Sequence, residues 1–81
     1  MSTFVREGGL RVQILSNDHP PPHVHVRGGG FHAKILIGDE NTAPELDELK
    51  SGDVRRIKFA MRLVAENQEL LLREWKSIHG E

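Results

Sequence analysis

The most chemically versatile side chains of this sequence are concentrated in one fifteen-residue segment. Residues 16–30 read SNDHPPPHVHVRGGG, which combines three histidines, three prolines and three glycines. Imidazole groups can bind transition metals, transfer protons near neutral pH or contact anions. The segment therefore predicts a functional site, and its neighbours must indicate which of these chemistries it performs.

A metal site is one hypothesis. His23 and His25 are two residues apart, so on a β-strand their side chains point to the same side, and His32 follows after the glycines. Three imidazoles can hold zinc, nickel or copper and leave one coordination position open for water. The positive charges of Arg27, Lys34 and Arg11 oppose a bound cation, and Asp18 is the one acid nearby that could support the ligands. We therefore expect no cofactor, with zinc or another divalent transition metal as the alternative.

Binding of an anion such as RNA is the second hypothesis, and the basic neighbours favour it. Imidazole, lysine and arginine side chains contact phosphate, and a glycine turn exposes backbone N–H groups to it. The residues predicted to line this site are His23, His25, Arg27, His32, Lys34 and Arg11.

The same residues could also cleave RNA without a metal. His25 and His32 would divide the roles of general base and general acid, and Lys34 or Arg27 would stabilise the phosphorane charge. Base stacking has little support, since Phe31 is the one aromatic residue near this face and the alternation buries it. The sequence favours binding over catalysis and leaves the enzyme question open.

The simplest alternative is that these histidines are polar surface. Asp18 and His19 would then be turn residues whose side chains satisfy loop backbone groups. The clustering of three histidines on one predicted face makes this alternative less attractive.

Alternating apolar and polar residues predict the strands that hold the histidines. The alternation covers residues 10–15, 23–27 and 31–37. The glycines between the last two segments predict a hairpin. Residues 43–50 fit either a short fourth strand at the edge of the sheet or one helical turn, and we favour the edge strand, where Pro44 is tolerated. The result is a sheet with one apolar face and one polar face.

The loop length determines the register of the hairpin. A two-residue loop at residues 28–29, or a four-residue loop at residues 27–30, would place His25 opposite His32 and Val26 opposite Phe31. All apolar side chains then share one face, whereas a three-residue loop would mix the faces.

A long amphipathic helix follows. Ser51 or Asp53 can cap its start, and Gly80 can end it. Its main apolar stripe should cover the sheet. The remaining large apolar residues lie roughly opposite that stripe, so the helix either breaks near residues 66–67 or presents an interface to a partner, which is the favoured prediction. These interface residues are Phe59, Leu63 and Leu70.

Composition limits the possible classes of function. The chain has 81 residues, no cysteine and a formal net charge of −1, which excludes a thiolate zinc site and a uniformly basic nucleic-acid binder. No apolar segment approaches the roughly 18 residues of a membrane span. We expect a cytoplasmic protein that contacts no membrane.

Several motifs resemble a widespread family of small bacterial proteins known as a domain of unknown function. They are SNDHPPPHVHVR at residues 16–27, the glycine turn, the AKIL strand and ELLLREW at residues 69–75. The HxPPHxH core is specific, here with an extra proline in the gap. Members are described as components of toxin–antitoxin modules, so the resemblance implies a bacterial protein with a small partner encoded nearby. It implies no reaction and no catalytic residue.

The prediction is therefore a single α+β domain over residues 1–81. A three- or four-stranded antiparallel β-meander (about residues 10–50) packs on one long C-terminal helix (about residues 52–79). The predicted function is a bacterial interaction module of toxin–antitoxin type. Its histidine and basic sheet face contacts a small protein encoded nearby, a second copy of the chain or an RNA.

Overall fold

The computed structural model describes residues 2–80, with side chains from Val5 onwards. Five strands form one antiparallel sheet in which every strand pairs with its sequence neighbours. The α+β class is confirmed, but the predicted strand number was too low. The strands are β1 (Ser2–Glu7), β2 (Leu10–Ile14), β3 (His23–Gly28), β4 (Phe31–Leu36) and β5 (Glu45–Ser51).

Of the two outer strands, β5 could be predicted from its residue pattern and β1 could not. β5 is the predicted edge strand, in which Leu46 and Leu49 are half-buried between exposed polar residues. β1 was not predicted, because its sequence STFVRE does not alternate, and its pairing with β2 shifts register between Thr3 and Val5. A bulge of this kind hides the period-two pattern.

The C-terminal part begins with a 3-10 turn (Val54–Arg56), which leads into α1 (Ile57–Glu66) and then α2 (Gln68–His79). Asp53 caps the start, because its carboxylate accepts a 2.8 Å hydrogen bond from the N–H of Arg55. Gly80 ends α2 in the left-handed conformation, with φ 71°. Within residues 2–80 neither helix is long and apolar enough to cross a membrane.

The prediction of one long helix is wrong, because the helix breaks at Asn67. The side-chain amide of Asn67 donates a 2.8 Å hydrogen bond to the carbonyl of Leu63 and its backbone N–H donates to the carbonyl of Val64. Such local bonds allow asparagine to compete with helical hydrogen bonding. The alternative prediction of a break near residues 66–67 is confirmed.

The break changes the positions of the residues that were predicted to contact a partner. Leu63 is 1% exposed and lies in the core, Phe59 packs against the core, and Leu70 is half-buried. These three side chains therefore do not form an exposed stripe, and Leu63 has a structural role.

The core lies between the helices and one face of the central strands. It brings together side chains from β2, β3 and β4, Ile37 after β4, and both helices. The fully or almost fully buried members are Leu10, Val12, Ile14, Val24, Val26, Phe31, Ala33, Ile35, Ile37, Ala60, Leu63, Val64, Leu71 and Trp75.

The predicted register of the β3–β4 hairpin is wrong by two residues. His25 pairs with Lys34 instead of His32, and Val26 pairs with Ala33 instead of Phe31. Because the shift is even, every side chain keeps its predicted face.

The glycine conformations explain the observed register. The two loop residues are Gly29 and Gly30, with φ 53° and 82°, which suits the tight turns of two-residue hairpins. Gly28 stays in β3, where a Cβ atom would collide with the backbone oxygen of Gly9. Three consecutive glycines offered several possible loops, and this close approach distinguishes them.

Candidate functional site

The polar face of the sheet carries most of the residues that were predicted to do chemistry. Cross-strand partners lie on the same face, so the pairing of β1 to β4 shows which side chains are neighbours. The face divides into two adjacent regions with different electrostatics.

The first region is a line of basic side chains that crosses four strands. Arg6 pairs with Arg11, Arg11 pairs with Arg27, and Arg27 pairs with His32. Neighbouring strands are about 4.8 Å apart, so the line spans roughly 14 Å. We call these four residues the arginine row.

The positive charge of the arginine row is not compensated by carboxylates. Among the residues that the structure describes, none of the ion pairs involves Arg6, Arg11 or Arg27. Arg6 and Arg11 are exposed, whereas Arg27 is half-buried and its Nε has no hydrogen-bond partner within the described residues. Like charges directly opposite each other on a sheet are destabilising. The row therefore has an unfavourable electrostatic energy that a bound anion would relieve.

The second region is a buried cluster of one carboxylate and two imidazoles. Oδ2 of Asp18 lies 3.0 Å from Nε2 of His23 and 3.1 Å from Nε2 of His25. His23 is 3% exposed, His25 is 7% exposed, and the side chain of Asp18 is 21% exposed. We call these three residues the Asp–His cluster.

The loop between β2 and β3 brings Asp18 to the histidines. The backbone N–H of Asp18 donates to the carbonyl of Leu15, which closes a turn directly after β2. The proline segment then leads into β3, and the carbonyl of Pro22 accepts a 3.1 Å hydrogen bond from the N–H of Ile37. The loop is thus attached at both ends, which holds the carboxylate against β3.

Further contacts orient both imidazoles. Nδ1 of His23 donates a 2.9 Å hydrogen bond to the carbonyl of Pro21, and the ring packs against Trp75 at 5.2 Å between centroids. Nδ1 of His25 lies 3.0 Å from Nε2 of His32. His32 therefore belongs to the arginine row and also contacts the Asp–His cluster.

Burial favours the neutral form of His25 and of His32. Desolvation lowers the pKa of His25, although the charge of Asp18 opposes the shift. Desolvation also lowers the pKa of His32, with a further contribution from the positive charge of Arg27. Both rings therefore have a stronger preference for the neutral form than a free histidine at the same pH.

The structure regroups the residues that the sequence singled out. Lys34 forms an ion pair with Asp47 at 3.3 Å, which reduces its capacity to attract an anion. Of the predicted metal-binding trio, His23 and His25 lie together with Asp18, whereas His32 contacts Nδ1 of His25, on the other side of that ring from Asp18. Sequence reasoning did not assign Asp18 to a site, since its loop conformation was not predictable from spacing. Arg6 was missed together with β1.

Comparison with known proteins gives one result. The family model described as Domain of unknown function (DUF4160) matches residues 9–76, which include the Asp–His cluster and the arginine row apart from Arg6. No curated protein and no solved structure matches the chain. The family match covers well over half of the 81 residues. The chain therefore belongs to the DUF4160 family of domains of unknown function.

Proposed function

We propose that this chain is a bacterial interaction module whose arginine row binds the phosphodiester backbone of single-stranded RNA. The main support is that Arg6, Arg11, Arg27 and His32 form a line across four strands. Among the described residues, no carboxylate forms an ion pair with these arginines. Phosphate groups placed along this line would neutralise the arginines and offset their mutual repulsion.

The face favours the backbone of the nucleic acid over its bases. A row of about 14 Å is long enough to contact more than one phosphate of an extended strand. Phe31 is 2% exposed and belongs to the core, so it provides no stacking surface for a base. Phosphate contacts position a ligand without reading its sequence. We therefore expect weak sequence preference and strong dependence on salt.

The proposal does not extend to RNA cleavage. His25 and His32 contact each other, and burial lowers the pKa of both, so neither is well suited to act as a protonated general acid at neutral pH. Lys34, the third catalytic candidate, is paired with Asp47. This arrangement supports binding better than a division of acid and base roles.

The wider proposal is that the chain acts in the bacterial cytoplasm as one component of a toxin–antitoxin pair. The support for this part is the motif resemblance at residues 16–27 and 69–75, since the family match by itself gives a domain of unknown function. The partner is a small protein encoded nearby or a second copy of the chain. The RNA-binding proposal can be tested without knowing that partner.

Fluorescence anisotropy with a labelled single-stranded uridine oligonucleotide tests the RNA proposal. About three or four phosphate contacts predict that the logarithm of the association constant falls against the logarithm of salt with a slope of roughly −2 to −3. Arg11→Gln should weaken binding several-fold and make the slope shallower by about 0.7. The matched control is Arg73→Gln, which removes the same charge from an exposed position on α2.

Equal weakening by Arg11→Gln and Arg73→Gln would assign the affinity to overall charge and contradict the proposal. Affinity that does not change with salt would contradict it as well. Circular dichroism of both variants verifies that the sheet and helices are intact.

A further inference from the structure

Two of the three donor separations in the Asp–His cluster match those of a coordination sphere. Ligand atoms at about 2.0–2.2 Å from a zinc ion lie about 2.8–3.6 Å from each other in octahedral or tetrahedral geometry. The observed separations between Oδ2 of Asp18 and the two Nε2 atoms are 3.0 and 3.1 Å, and all three donor atoms lie within 4.8 Å of one another. The two separations from Asp18 therefore match those around a bound ion, and the two Nε2 atoms lie within 4.8 Å of each other.

The hydrogen bond of His23 makes a cation at this position favourable. The carbonyl of Pro21 can only accept, so Nδ1 of His23 carries the proton. In the neutral ring, Nε2 then directs a lone pair at the carboxylate of Asp18 at 3.0 Å. Two acceptors at this distance repel each other unless a proton or a metal ion lies between them. A metal ion would satisfy both acceptors at once.

His25 has a matching arrangement. Coordination through Nε2 requires the proton on Nδ1, and Nε2 of His32 lies 3.0 Å from Nδ1, where it can accept that proton in a hydrogen bond. Metal-binding histidines usually donate their second ring N–H to an acceptor that fixes the tautomer. Pro21 has this role for His23, and His32 has it for His25.

We propose that Asp18, His23 and His25 form a binding site for a divalent transition metal ion of the zinc class. Two imidazole nitrogens and one carboxylate oxygen favour zinc, iron, cobalt or nickel over calcium and magnesium, which prefer oxygen ligands. Three protein ligands leave at least one coordination position for water or for a substrate oxygen. None of the three ligands belongs to the arginine row, although His32 of the row contacts His25.

The cations nearby do not prevent this binding. Lys34 is paired with Asp47, and the carboxylate of Asp18 contributes a negative charge directly to the site. The charge of Arg27 affects the pKa of His25 less than burial and the carboxylate of Asp18 do. The local charge is therefore less opposed to a cation than the sequence indicated.

Isothermal titration of zinc into the chelator-treated chain tests the site. We expect one equivalent of zinc to bind with a dissociation constant in the micromolar range or tighter. Asp18→Asn keeps the shape of the side chain but removes its charge, and should weaken binding by about 100-fold or more. His32→Ala should weaken it by about 10- to 100-fold, because the ligand His25 loses its acceptor. The control is His19→Ala, which removes an exposed histidine beside Asp18.

A second measurement does not depend on any variant. Zinc added to the wild-type chain should shift the ring resonances of His23 and His25 in a two-dimensional NMR spectrum and leave those of His19 unchanged. The site is refuted if the chain takes up no stoichiometric zinc, if Asp18→Asn binds zinc as tightly as wild type, or if His19 shifts as strongly as the cluster.

Discussion

The arginine row and the Asp–His cluster lie on the same face of one sheet but differ in how their polar groups are paired. In the row, arginines stand side by side, mostly exposed, and without ion pairs among the described residues. In the cluster, the imidazoles are almost completely buried and every ring nitrogen has a polar neighbour. Like charges directly opposite each other on a sheet are expected to repel in the free chain, whereas the cluster is held in place by its surroundings. This difference is the reason for proposing an external anion at the row and a preformed site at the cluster.

The two regions are also physically linked. His25 and Arg27 are two residues apart on β3, which places their rows roughly 7 Å from each other. His32 stands opposite Arg27 and contacts Nδ1 of His25. A phosphate on the row would therefore lie near the cluster, although each site uses its own donor atoms.

The largest expected effect concerns the support of the cluster. Trp75 is completely buried and packs against the ring of His23, so Trp75→Ala should lower the free energy of unfolding by about 3–5 kcal/mol. Urea denaturation measures the loss. Zinc binding should weaken as well, because His23 loses its packing partner, while the remaining folded chain should bind RNA normally. Trp75→Phe is the control, and a loss of stability below about 1 kcal/mol in Trp75→Ala would contradict the packing described.

A smaller effect of opposite sign is expected in the arginine row. Arg11→Gln relieves repulsion with Arg6 and Arg27 and should raise the free energy of unfolding by about 0.2–1 kcal/mol. The same variant should bind RNA more weakly. Arg11→Lys retains the charge and should leave stability unchanged, which separates charge from side-chain packing. A destabilised Arg11→Gln would show that the row is not repulsive in the free chain.

The smallest expected effect is a decrease in the free energy of unfolding at acidic pH, which depends on the histidines and not on the arginines. Burial lowers the pKa of His25 and His32 from the ordinary value of 6.5, so the unfolded chain takes up these protons first as the pH falls. The stabilisation is present above about pH 6.5 and is lost as the pH falls through the lower pKa values of the folded chain.

Urea denaturation of the chelator-treated chain at several pH values measures this loss. His32→Gln should show a shallower decline, and Arg11→Gln should retain the wild-type decline, because arginine does not titrate in this range. A free energy of unfolding that rises on acidification would contradict the burial of these rings.

The sequence predicted correctly which side chains share a face of the sheet, but it did not predict the register of the β3–β4 hairpin. Alternation in residues 23–27 and 31–37 placed His25, Arg27 and His32 on the polar face, since a period of two depends only on local geometry. The register was wrong because three glycines allow several turns, and the choice depends on the contact of Gly28 with Gly9. That contact is long-range in sequence and leaves no local pattern.

In both regions of the site, residues on alternating strands were predicted, whereas residues placed by long-range structure were missed. Arg11, Arg27 and His32 were predicted as anion-binding residues, but Arg6 joins them only because β1 pairs with β2 despite a bulge. Asp18 reaches the histidines through the path of the loop before β3, which spacing alone does not determine. The break at Asn67 was one of two alternatives, because helix propensity does not show which apolar residues the core can accommodate.

One NMR experiment tests whether this face of the sheet carries two separate sites. The arginine Nε–H and histidine ring resonances of the wild-type chain are followed while zinc, and then a single-stranded uridine oligonucleotide, are added. We predict that zinc shifts His23 and His25, and that RNA shifts Arg11 and Arg27. His32 contacts both regions and is not used to decide. Shifts of Arg11 and Arg27 by zinc as strong as those of His23 and His25, or no saturable response of these arginines to RNA, would show that the face does not carry two separate sites.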